Sequence, residues 1–329
     1  MSPVLLIEGT GAIARRHIAN FRLLQPNLRI QVLRASPRPL SSPLPDDVEL
    51  VASLDEALHN RPTLAIIAGP ATTHVQTALP LVEAGVPVLV EKPLSSSLVE
   101  AERLLGTTQA RHAGLMVAYV FRFHTALLAL RNVLMRGDIG RPIGLRAEVG
   151  QYLPDWRPGM PWHESVSARS ALGGGALLEL SHEIDYARWL VGDAVNLRGT
   201  LRRLGAVTVD VEDWVDLHWT TADGVEVDLH MDMLQRTPHR VCRVLGSEGT
   251  ADVDLIAGRM VVRRPGRAED VVVAGVGDRN AAYVALARAA LDMASGDPSS
   301  VPLEDGLAVM RIVQGARRSS ELKGAEVSL

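Results

Sequence analysis

The strongest constraint on the fold is the pattern of the first 120 residues, where short apolar runs alternate with segments of helical periodicity. Runs of this length, rich in valine, leucine and isoleucine, are typical of strands buried on both faces of a parallel sheet. Between them, Ser53 and Ser97 each precede a glutamate by three residues, the spacing of a helix capping box. The alternation predicts a doubly wound α/β domain. The apolar runs are Val4–Ile7, Leu28–Leu33, Leu64–Ala68, Val86–Val90 and Leu115–Tyr119.

The rest of the chain follows a different pattern. Apolar and polar residues alternate along 215–219 and again along 225–233, and the Asp223-Gly224 dipeptide between them is typical of a hairpin turn. A chain of 329 residues is also too long for one ordinary hydrophobic core. We therefore predict an α/β domain over residues 1–121. Residues 122–329 are predicted to form an α+β domain with a large, mostly antiparallel open sheet, whose last helix packs back on the first domain.

A glycine-rich turn directly follows the first predicted strand. Glycines at such a junction allow a tight turn and a close approach of backbone N–H groups to a pyrophosphate, which the helix N-terminus also favours. We interpret the turn as the pyrophosphate-binding element of a Rossmann dinucleotide-binding domain; a purely structural glycine turn is the alternative. The residues of the turn are Gly9, Thr10, Gly11, Ala12, Ile13 and Ala14.

The end of the second predicted strand bears on the choice of cofactor. A dinucleotide fold that prefers NAD places an Asp or Glu about 20 residues beyond the glycine turn, where it binds the ribose 2′-hydroxyl. Here that position, 34 − 14 = 20 residues beyond Ala14, is Arg34, and Ser36 and Arg38 follow. Because guanidinium groups bind phosphate well, we predict that these residues hold a 2′-phosphate, with NADP(H) preferred and NAD(H) possible. The alternative is that both arginines are solvated surface residues.

Lysine is rare in this chain. Of 34 cationic side chains only Lys92 and Lys323 are lysine, which leaves 34 − 2 = 32 arginines. Lys92 follows an apolar run, within Glu91-Lys92-Pro93. An ammonium group can lose its proton near neutral pH when it is desolvated, whereas a guanidinium cannot. Lys92 is therefore a candidate acid/base residue; the alternative is that it merely pairs with Glu91.

A second candidate for proton transfer follows Gly173-Gly174-Gly175, in a segment that we predict to be one helix as far as Leu190. Glu179, His182 and Asp185 are spaced three apart and would share one face of that helix. A histidine between two carboxylates is an oriented proton carrier, so we predict that all three are catalytic. The alternatives are a core histidine or a metal site. The metal site needs further ligands that the spacing does not supply, and we predict none.

Composition limits the possible partners and compartments. A net charge of −4 with dispersed arginines argues against a nucleic-acid partner. No signal peptide or membrane-spanning segment is visible, and the single cysteine, Cys242, fits a reducing cytoplasm. We expect a cytoplasmic protein that binds a small-molecule substrate and no membrane. The polar side of the predicted hairpin is either solvated or a subunit contact, and we expect a homodimer or homotetramer formed through the C-terminal sheet.

Together, several motifs resemble those of the Gfo/Idh/MocA family of NAD(P)-dependent sugar and inositol oxidoreductases, over nearly the whole chain. The resemblance implies that Lys92 contacts nicotinamide and substrate, that His182 carries the proton of the reacting hydroxyl, and that the C-terminal sheet serves oligomerisation. It also implies further cofactor-binding residues, which are Gly69, Pro70, His74, Glu91, Lys92 and Arg122. The motifs are Gly9–Ala14 with Arg15-Arg16-His17, Pro70 to His74, Glu91-Lys92-Pro93, Tyr119 to Phe123, Gly173–Gly175 leading to His182 and Asp185, and Gly246-Ser247-Glu248-Gly249-Thr250.

The chain departs from the family pattern near the helix histidine. Members usually carry an aspartate four residues before it, whereas Leu178 stands there and the acid is Glu179, three before. A longer side chain across a shorter gap could place a carboxylate near the same point.

The substrate is expected at the loop that precedes the glycine-rich helix, because that loop mixes stacking surfaces with polar donors suited to sugar hydroxyls. Its candidate residues are Tyr152, Trp156, Arg157 and His163. The sequence thus predicts an NADP(H)-preferring oxidoreductase acting on the CH–OH group of a sugar-like substrate. Residues 148–158 and 181–185 resemble members associated with polysaccharide biosynthesis, which favours an amino or nucleotide-linked sugar. An imine or non-sugar carbonyl reductase, or a cofactor-sensing regulator without turnover, are the alternatives.

Overall fold

The computed structural model describes residues 3–34, 43–157, 159, 161–275, 278 and 280–329. The chain divides into two compact units, one formed by the described residues of 1–120 and 280–307, the other by those of 121–279 and 308–329. The first crossing between the units, at 120/121, lies one residue from the expected domain boundary. The chain then returns to the first unit at Asn280, so the penultimate helix and only the start of the last helix belong there.

Parallel strands and helices alternate along residues 1–120. The elements are β1 (Val4–Glu8), α1 (Ala12–Leu24), β2 (Arg29–Leu33), β3 (Val48–Val51), α2 (Leu54–His59), β4 (Leu64–Ile67), α3 (His74–Glu83), β5 (Val88–Val90), α4 (Leu98–Arg111) and β6 (Leu115–Val117). Among the described residues the sheet has the order β3-β2-β1-β4-β5-β6, with every pairing parallel. The strand order reverses between β1 and β4, which confirms the doubly wound prediction and marks where such sheets bind ligands.

The apolar pattern predicted the strands whose residues are buried, and it missed a strand that is partly exposed. Every residue of β1, β4 and β5 is buried, so these strands read as continuous apolar runs. Strand β3 was not predicted, because it lies at the sheet edge with Leu50 exposed and Glu49 paired to Arg29 at 2.6 Å. The helix starts are confirmed, since the Oγ atoms of Ser53 and Ser97 accept backbone N–H groups three residues later.

The second unit is built on a larger sheet. Its elements up to residue 279 are α5 (Thr125–Met135), β7 (Pro142–Gly150), α6 (Ala176–Glu179), α7 (His182–Val191), β8 (Ala194–Arg202), β9 (Trp214–Thr221), β10 (Glu226–Asp232), β11 (His239–Gly246), β12 (Thr250–Asp254), β13 (Arg259–Arg263) and β14 (Asp270–Ala274). The chain ends with α8 (Ala281–Ala294), α9 (Leu303–Glu321) and β15 (Val327–Ser328). Within the described residues the sheet order is β14-β13-β12-β11-β7-β10-β9-β8-β15, and only the β7–β10 pairing is parallel. The mostly antiparallel open sheet is therefore confirmed.

The predicted hairpin is formed by β9 and β10. Gly224 takes a φ of +73° in the turn between them, a conformation that glycine adopts without strain. Leu217 and Leu229 face each other on the buried side, which α6 and α7 cover, and His218 pairs with Asp228 on the polar side.

The helix after the triple glycine differs from its prediction. It is divided into α6, which ends at Glu179, and α7, which begins at His182. Leu180 leaves the helical conformation at φ −101° and ψ 19°, and the backbone O of Ser181 accepts the N–H of Asp185 to begin the second helix. The apolar periodicity does not reveal this break, because buried leucines lie on both sides of the glutamate.

Helix α8 packs within the first unit, against α1 and β6. The guanidinium of Arg16 lies 4.5 Å above the Tyr283 ring, and the Asn280 amide donates to Asn20 Oδ1 at 2.6 Å. In the described part of the chain, no helix is long and apolar enough to cross a membrane.

Candidate active site

The loops that follow β1 and β4 approach each other closely at two glycines. Gly9 has a φ of +105°, and a Cβ there would lie 2.9 Å from the Ala68 carbonyl oxygen. A Cβ on Gly69 would lie 2.6 Å from Glu8 Oε1, and the Gly69 N–H donates to the same carboxylate at 2.8 Å. Both positions therefore require glycine because backbone and carboxylate already fill the space.

The start of α1 has the properties of a diphosphate site. No atom lies within 4 Å of the Cβ position of Gly11, and no described side chain caps the helix N-terminus or places an acid in its first turn. Arg15 Nε donates to the Thr10 carbonyl at 3.2 Å, which holds the turn, and Ala14 is fully buried. Uncapped N–H groups at a helix start favour an anion, so the residues present fit the pyrophosphate of a dinucleotide.

Strand β1 ends in a buried acid that the sequence analysis did not single out. Glu8 is only 3% exposed, and burial raises the pKa of its carboxyl although hydrogen bonds from the Gly69 and Ala68 amides oppose the shift. In the sequence, the sign that could have revealed Glu8 is a single charged residue at the end of an apolar run. Glu8 fixes the β4 loop next to the glycine turn.

Arg34 follows β2 at the carboxyl end of the parallel sheet and is partly exposed. Its Nη2 atom is buried and has no hydrogen-bond partner among the described residues. The other two residues expected at the ribose, Ser36 and Arg38, lie outside the described part of the chain.

The loop after β5 carries Lys92 and is held from several sides. Glu91 is 8% exposed, and its Oε1 lies 2.8 Å from Nε2 of the fully buried His17 on α1. The backbone N–H of Lys92 donates to Glu91 Oε2 at 3.2 Å. Lys92 is partly exposed, and the peptide bond from Lys92 to Pro93 is cis.

His74 was expected to line the cofactor cleft, and the structure places it in the interior instead. It is 1% exposed, with Nδ1 2.9 Å from the Pro93 carbonyl oxygen and Nε2 3.0 Å from that of Gly69. Burial lowers the pKa of His74, and a neutral imidazole donates to only one of these carbonyls. His74 braces the loops after β4 and β5, and Pro70 begins the turn before it, where its carbonyl accepts from Thr73.

His182 is the first residue of α7, in the second unit, and is partly exposed. Its ring centroid lies 4.8 Å from that of Phe121. The guanidinium of Arg240 lies 4.1 Å above the Phe121 ring and makes two hydrogen bonds of 2.7 Å with the fully buried carboxylate of Glu183. The aromatic neighbour of His182 is therefore itself fixed by a buried ion pair.

Arg122 and Asp185 bind each other. Asp185 is fully buried and Arg122 is 7% exposed. Arg122 Nη2 donates to Asp185 Oδ1 at 2.7 Å, and Arg122 Nε donates to Asp185 Oδ2 at 3.0 Å. Arg122 was expected to bind cofactor, and Asp185 was expected to flank His182 as a catalytic acid. The ion pair instead ties α7 to the 3-10 turn Val120–Phe123, and breaking a buried pair of this kind is strongly destabilising.

Glu179 is connected to the loop after β7 through a buried serine. Ser167 Oγ donates to Glu179 Oε2 at 2.8 Å and accepts from Arg157 Nη1 at 3.3 Å. Two residues expected at different sites, a catalytic acid and a substrate donor, are thus joined by one hydrogen-bonded chain. The backbone break after Glu179 separates this chain from α7.

The other expected substrate residues also lie in the loop after β7. Tyr152 is partly exposed beneath the guanidinium of Arg236, which lies 3.6 Å above its ring. Trp156 donates from Nε1 to the Gln151 carbonyl at 3.0 Å. His163 is exposed and packs edge-on against Trp162 at 5.6 Å. Arg236 was missed by the sequence analysis because it follows β10, far along the chain.

The start of α6 depends on a second residue that the sequence did not reveal. Glu212 Oε1 accepts the Leu177 N–H at 3.1 Å, and the Glu212 carbonyl accepts that of Ala176 at 3.0 Å. Gly175 has a φ of +110°, and a Cβ there would clash with the Glu212 carboxylate. Burial raises the pKa of Glu212. Among the described residues, no group of three or more His, Cys, Asp or Glu side chains is placed to hold a metal ion.

Both units match models of known protein families. Residues 4–119 match the oxidoreductase family with an NAD-binding Rossmann fold, and residues 127–252 match the GFO/IDH/MocA C-terminal domain. The chain is 26% identical to an inositol 2-dehydrogenase of Acidiphilium cryptum (strain JF-5), over 83% of this chain and 80% of that protein. It is 27% identical to a UDP-N-acetylglucosamine 3-dehydrogenase of Acidithiobacillus ferrooxidans, over 78% of this chain and 72% of that protein.

Solved structures show the same fold. GenD2 from gentamicin A biosynthesis, in complex with NAD, aligns with a TM-score of 0.83 at 23% identity, covering 100% of this chain and 96% of that one. Levoglucosan dehydrogenase in complex with NADH and levoglucosan aligns with a TM-score of 0.85 at 19% identity, covering 100% and 99%.

Proposed function

The chain belongs to the Gfo/Idh/MocA family of oxidoreductases, and from that premise we propose that it transfers a hydride between a nicotinamide cofactor and a carbinol carbon of a sugar-like substrate. The observation that carries the proposal is the loop after β5: a lysine in a chain of arginines stands at the carboxyl end of the dinucleotide-binding sheet, with its backbone held by a buried acid. Two relatives are named as dehydrogenases of inositol and of a nucleotide-linked amino sugar.

The cofactor is proposed to bind through its diphosphate at Gly9 to Ala14 and the uncapped start of α1. We further propose that NADP(H) is preferred, because Arg34 stands where an acid would bind the ribose hydroxyls of NAD. Its buried Nη2, which lacks a described partner, supports a charged ligand there. The chemistry that a bound nicotinamide would supply is the acceptance or return of a hydride.

The residues of the chain itself are proposed to handle the proton. Oxidation of an alcohol releases a hydride from the carbon and a proton from the hydroxyl, and the proton needs an acceptor within hydrogen-bond reach. Lys92 and His182 are each proposed to take part in this proton transfer. Glu91 fixes the lysine backbone, while Phe121 and the Arg240–Glu183 pair fix the surroundings of the histidine.

The substrate is proposed to bind at the loop after β7, through Tyr152, Trp156, Arg157 and His163. Tyr152 and Trp156 offer ring faces and Arg157 offers donors, as sugar hydroxyls require. Of the two classes that the sequence favours, an amino or a nucleotide-linked sugar, the nucleotide-linked sugar fits this loop better, because the guanidiniums of Arg157 and Arg236 form no salt bridge with a described carboxylate and could pair with its diphosphate.

A substrate screen tests the proposal. Purified protein is incubated with NAD or NADP and a panel of neutral polyols, free sugars, amino sugars and nucleotide sugars. It is also incubated with NADH or NADPH and the corresponding keto sugars, imines and non-sugar ketones, and reduced nicotinamide is followed by absorbance in both cases. The expected result is turnover on one class, faster with NADP. Cofactor binding without turnover in either direction on the whole panel would indicate the sensor alternative, and turnover only on imines or non-sugar ketones would indicate the reductase alternative.

A further inference from the structure

A buried histidine on α1 supports the loop that carries Lys92. His17 is fully buried in the first unit, and its Nε2 lies 2.8 Å from Glu91 Oε1. Its ring also lies 6.4 Å from the Phe21 ring, one turn further along the helix, so its orientation is fixed by packing.

The acid that His17 holds is anchored at three points. Glu91 Oε1 faces the imidazole, Glu91 Oε2 accepts the backbone N–H of Lys92 at 3.2 Å, and the Glu91 N–H donates to the Ile67 carbonyl at 2.8 Å. The side chain of Glu91 therefore joins α1 to the peptide unit from which Lys92 projects. A change at His17 can reach Lys92 through one carboxylate.

The surroundings of the imidazole indicate which ring nitrogen donates to Glu91. His17 Nδ1 is buried and has no hydrogen-bond partner among the described residues. Because a carboxylate accepts hydrogen bonds, the contact with Glu91 requires a proton on Nε2, which donates to Oε1. His17 thus supplies one directed hydrogen bond to Glu91.

We infer that His17 is a positioning residue, which holds the Glu91 carboxylate and thereby fixes the place of the Lys92 amine. That the position of the Lys92 amine matters for turnover rests on the proposed function. That His17 fixes this position does not rest on it, so the positioning can be tested without any substrate. The opposing explanation is that His17 only fills the space between α1 and the β5 loop.

The rarity of lysine makes the position of Lys92 directly observable. Reductive methylation with ¹³C-formaldehyde labels only Lys92, Lys323 and the terminal amine, and Lys323 is exposed and far along the sequence. The NMR signal of dimethylated Lys92 reports its environment and mobility, and Lys323 serves as an internal reference. Two variants are compared: His17→Gln, whose side-chain N–H can still donate to Glu91, and His17→Met, which fills similar space without donating.

The expected result separates positioning from packing. In His17→Met the Lys92 signal moves and narrows towards that of Lys323, kcat falls at least about tenfold, which is roughly 1.4 kcal/mol, and cofactor affinity stays within about threefold. In His17→Gln both the signal and most of kcat are retained. Asn20→Ala is the control on the same helix, because it removes the buried amide contact with Asn280 and lowers stability without touching Glu91.

Two outcomes would overturn the inference. One is a Lys92 signal that is unchanged in His17→Met; the other is an equal loss in the Gln and Met variants at equal loss of stability. If His17→Met does not fold, the variant Glu91→Gln is measured in its place. Its side-chain amide has only one accepting oxygen, so the contact with His17 or the contact with the Lys92 N–H must be lost. A Lys92 signal that does not move in this variant would rule out the positioning role of His17. A protein that shows the expected NMR response but no turnover on any substrate would count against the proposed function and not against the positioning.

Discussion

At Lys92 the chain keeps an ammonium group although arginine is its usual cation. Lys92→Arg retains the positive charge and the backbone hydrogen bond to Glu91, so the fold and the dinucleotide site should survive. It removes the ability to release a proton at accessible pH and replaces a compact donor by a planar one. We expect most turnover to be lost while cofactor affinity, measured by fluorescence titration, is retained.

Lys323→Arg is the matched control, because this lysine is exposed near the end of the chain. It should leave kcat unchanged. A Lys92→Arg enzyme within about threefold of the original rate would show that charge alone is needed and return Lys92 to a structural role.

His182 is expected to act on the proton of the reacting hydroxyl. His182→Ala should lower kcat by about two to four orders of magnitude, the usual contribution of a general acid or base. Cofactor affinity should barely change, since the residue lies in the second unit. His59→Ala, at an exposed histidine on α2, is the control. Near-full turnover of the His182 variant across the pH range would make this histidine structural.

Arg34 is expected to decide the cofactor preference. Arg34→Asp removes a charge-assisted contact to the 2′-phosphate and adds repulsion, so NADP affinity should fall by more than about tenfold, roughly 1.4 kcal/mol. Arg103→Asp, at an exposed arginine on α4, controls for the change in net charge. Titration of both cofactors decides the point, and tighter binding of NAD than NADP by the unchanged protein would contradict the preference.

At the scale of elements, the short helix α6 depends on a residue from outside it. Its four residues make few internal hydrogen bonds, and Glu212 from a distant loop satisfies two of its first N–H groups. Gly175→Ala would strain a backbone at φ +110° and displace the Glu212 carboxylate. We expect it to lower the free energy of unfolding by about 2 kcal/mol or more, with a fall in kcat because α6 ends in Glu179.

Gly205→Ala separates strain from displacement. Gly205 has a φ of +78°, but no atom lies within 4 Å of its Cβ position. Its substitution should cost only the backbone strain, about 1 kcal/mol, and leave kcat unchanged. Urea unfolding followed by circular dichroism measures both variants, and equal losses in the two would mean that the Glu212 contact contributes nothing.

At the scale of the whole molecule, the polar side of the large sheet bears on assembly. One side of the sheet packs against helices of its own unit, while the other carries cross-strand pairs such as His218 with Asp228 at 2.8 Å and His230 with Asp216 at 2.7 Å. An ordered polar surface of this kind can pair with a second copy of itself about a twofold axis. We expect a homodimer or homotetramer formed through this face.

Light scattering coupled to size exclusion tests the assembly. At micromolar concentration, the measured mass should be about two or four times the 35.4 kDa of one chain. Asp228→Arg places a positive charge beside Arg146 and His218 and should weaken assembly, whereas Glu102→Arg on the exposed side of α4 should not. A monomer mass for the unchanged protein would contradict the prediction.

The sequence by itself determined the elements whose residues interact locally or by burial. Continuous apolar runs specified the central parallel strands, Ser53 and Ser97 specified helix starts, and Asp223-Gly224 specified the hairpin. The glycine turn and the loop with Lys92 could be recognised because their chemistry lies within a few consecutive residues. These features depend on period, turn geometry and capping, which neighbouring residues set.

Only the tertiary structure decided the contacts between residues that lie far apart in the chain. Helix α8 returns to the first unit, the expected single helix breaks after Glu179, and Arg122 forms a buried ion pair with Asp185. The His17–Glu91 contact likewise joins residues 74 positions apart. Such contacts are selected by the cost of leaving buried polar groups unpaired, and that cost depends on which groups the complete fold brings together.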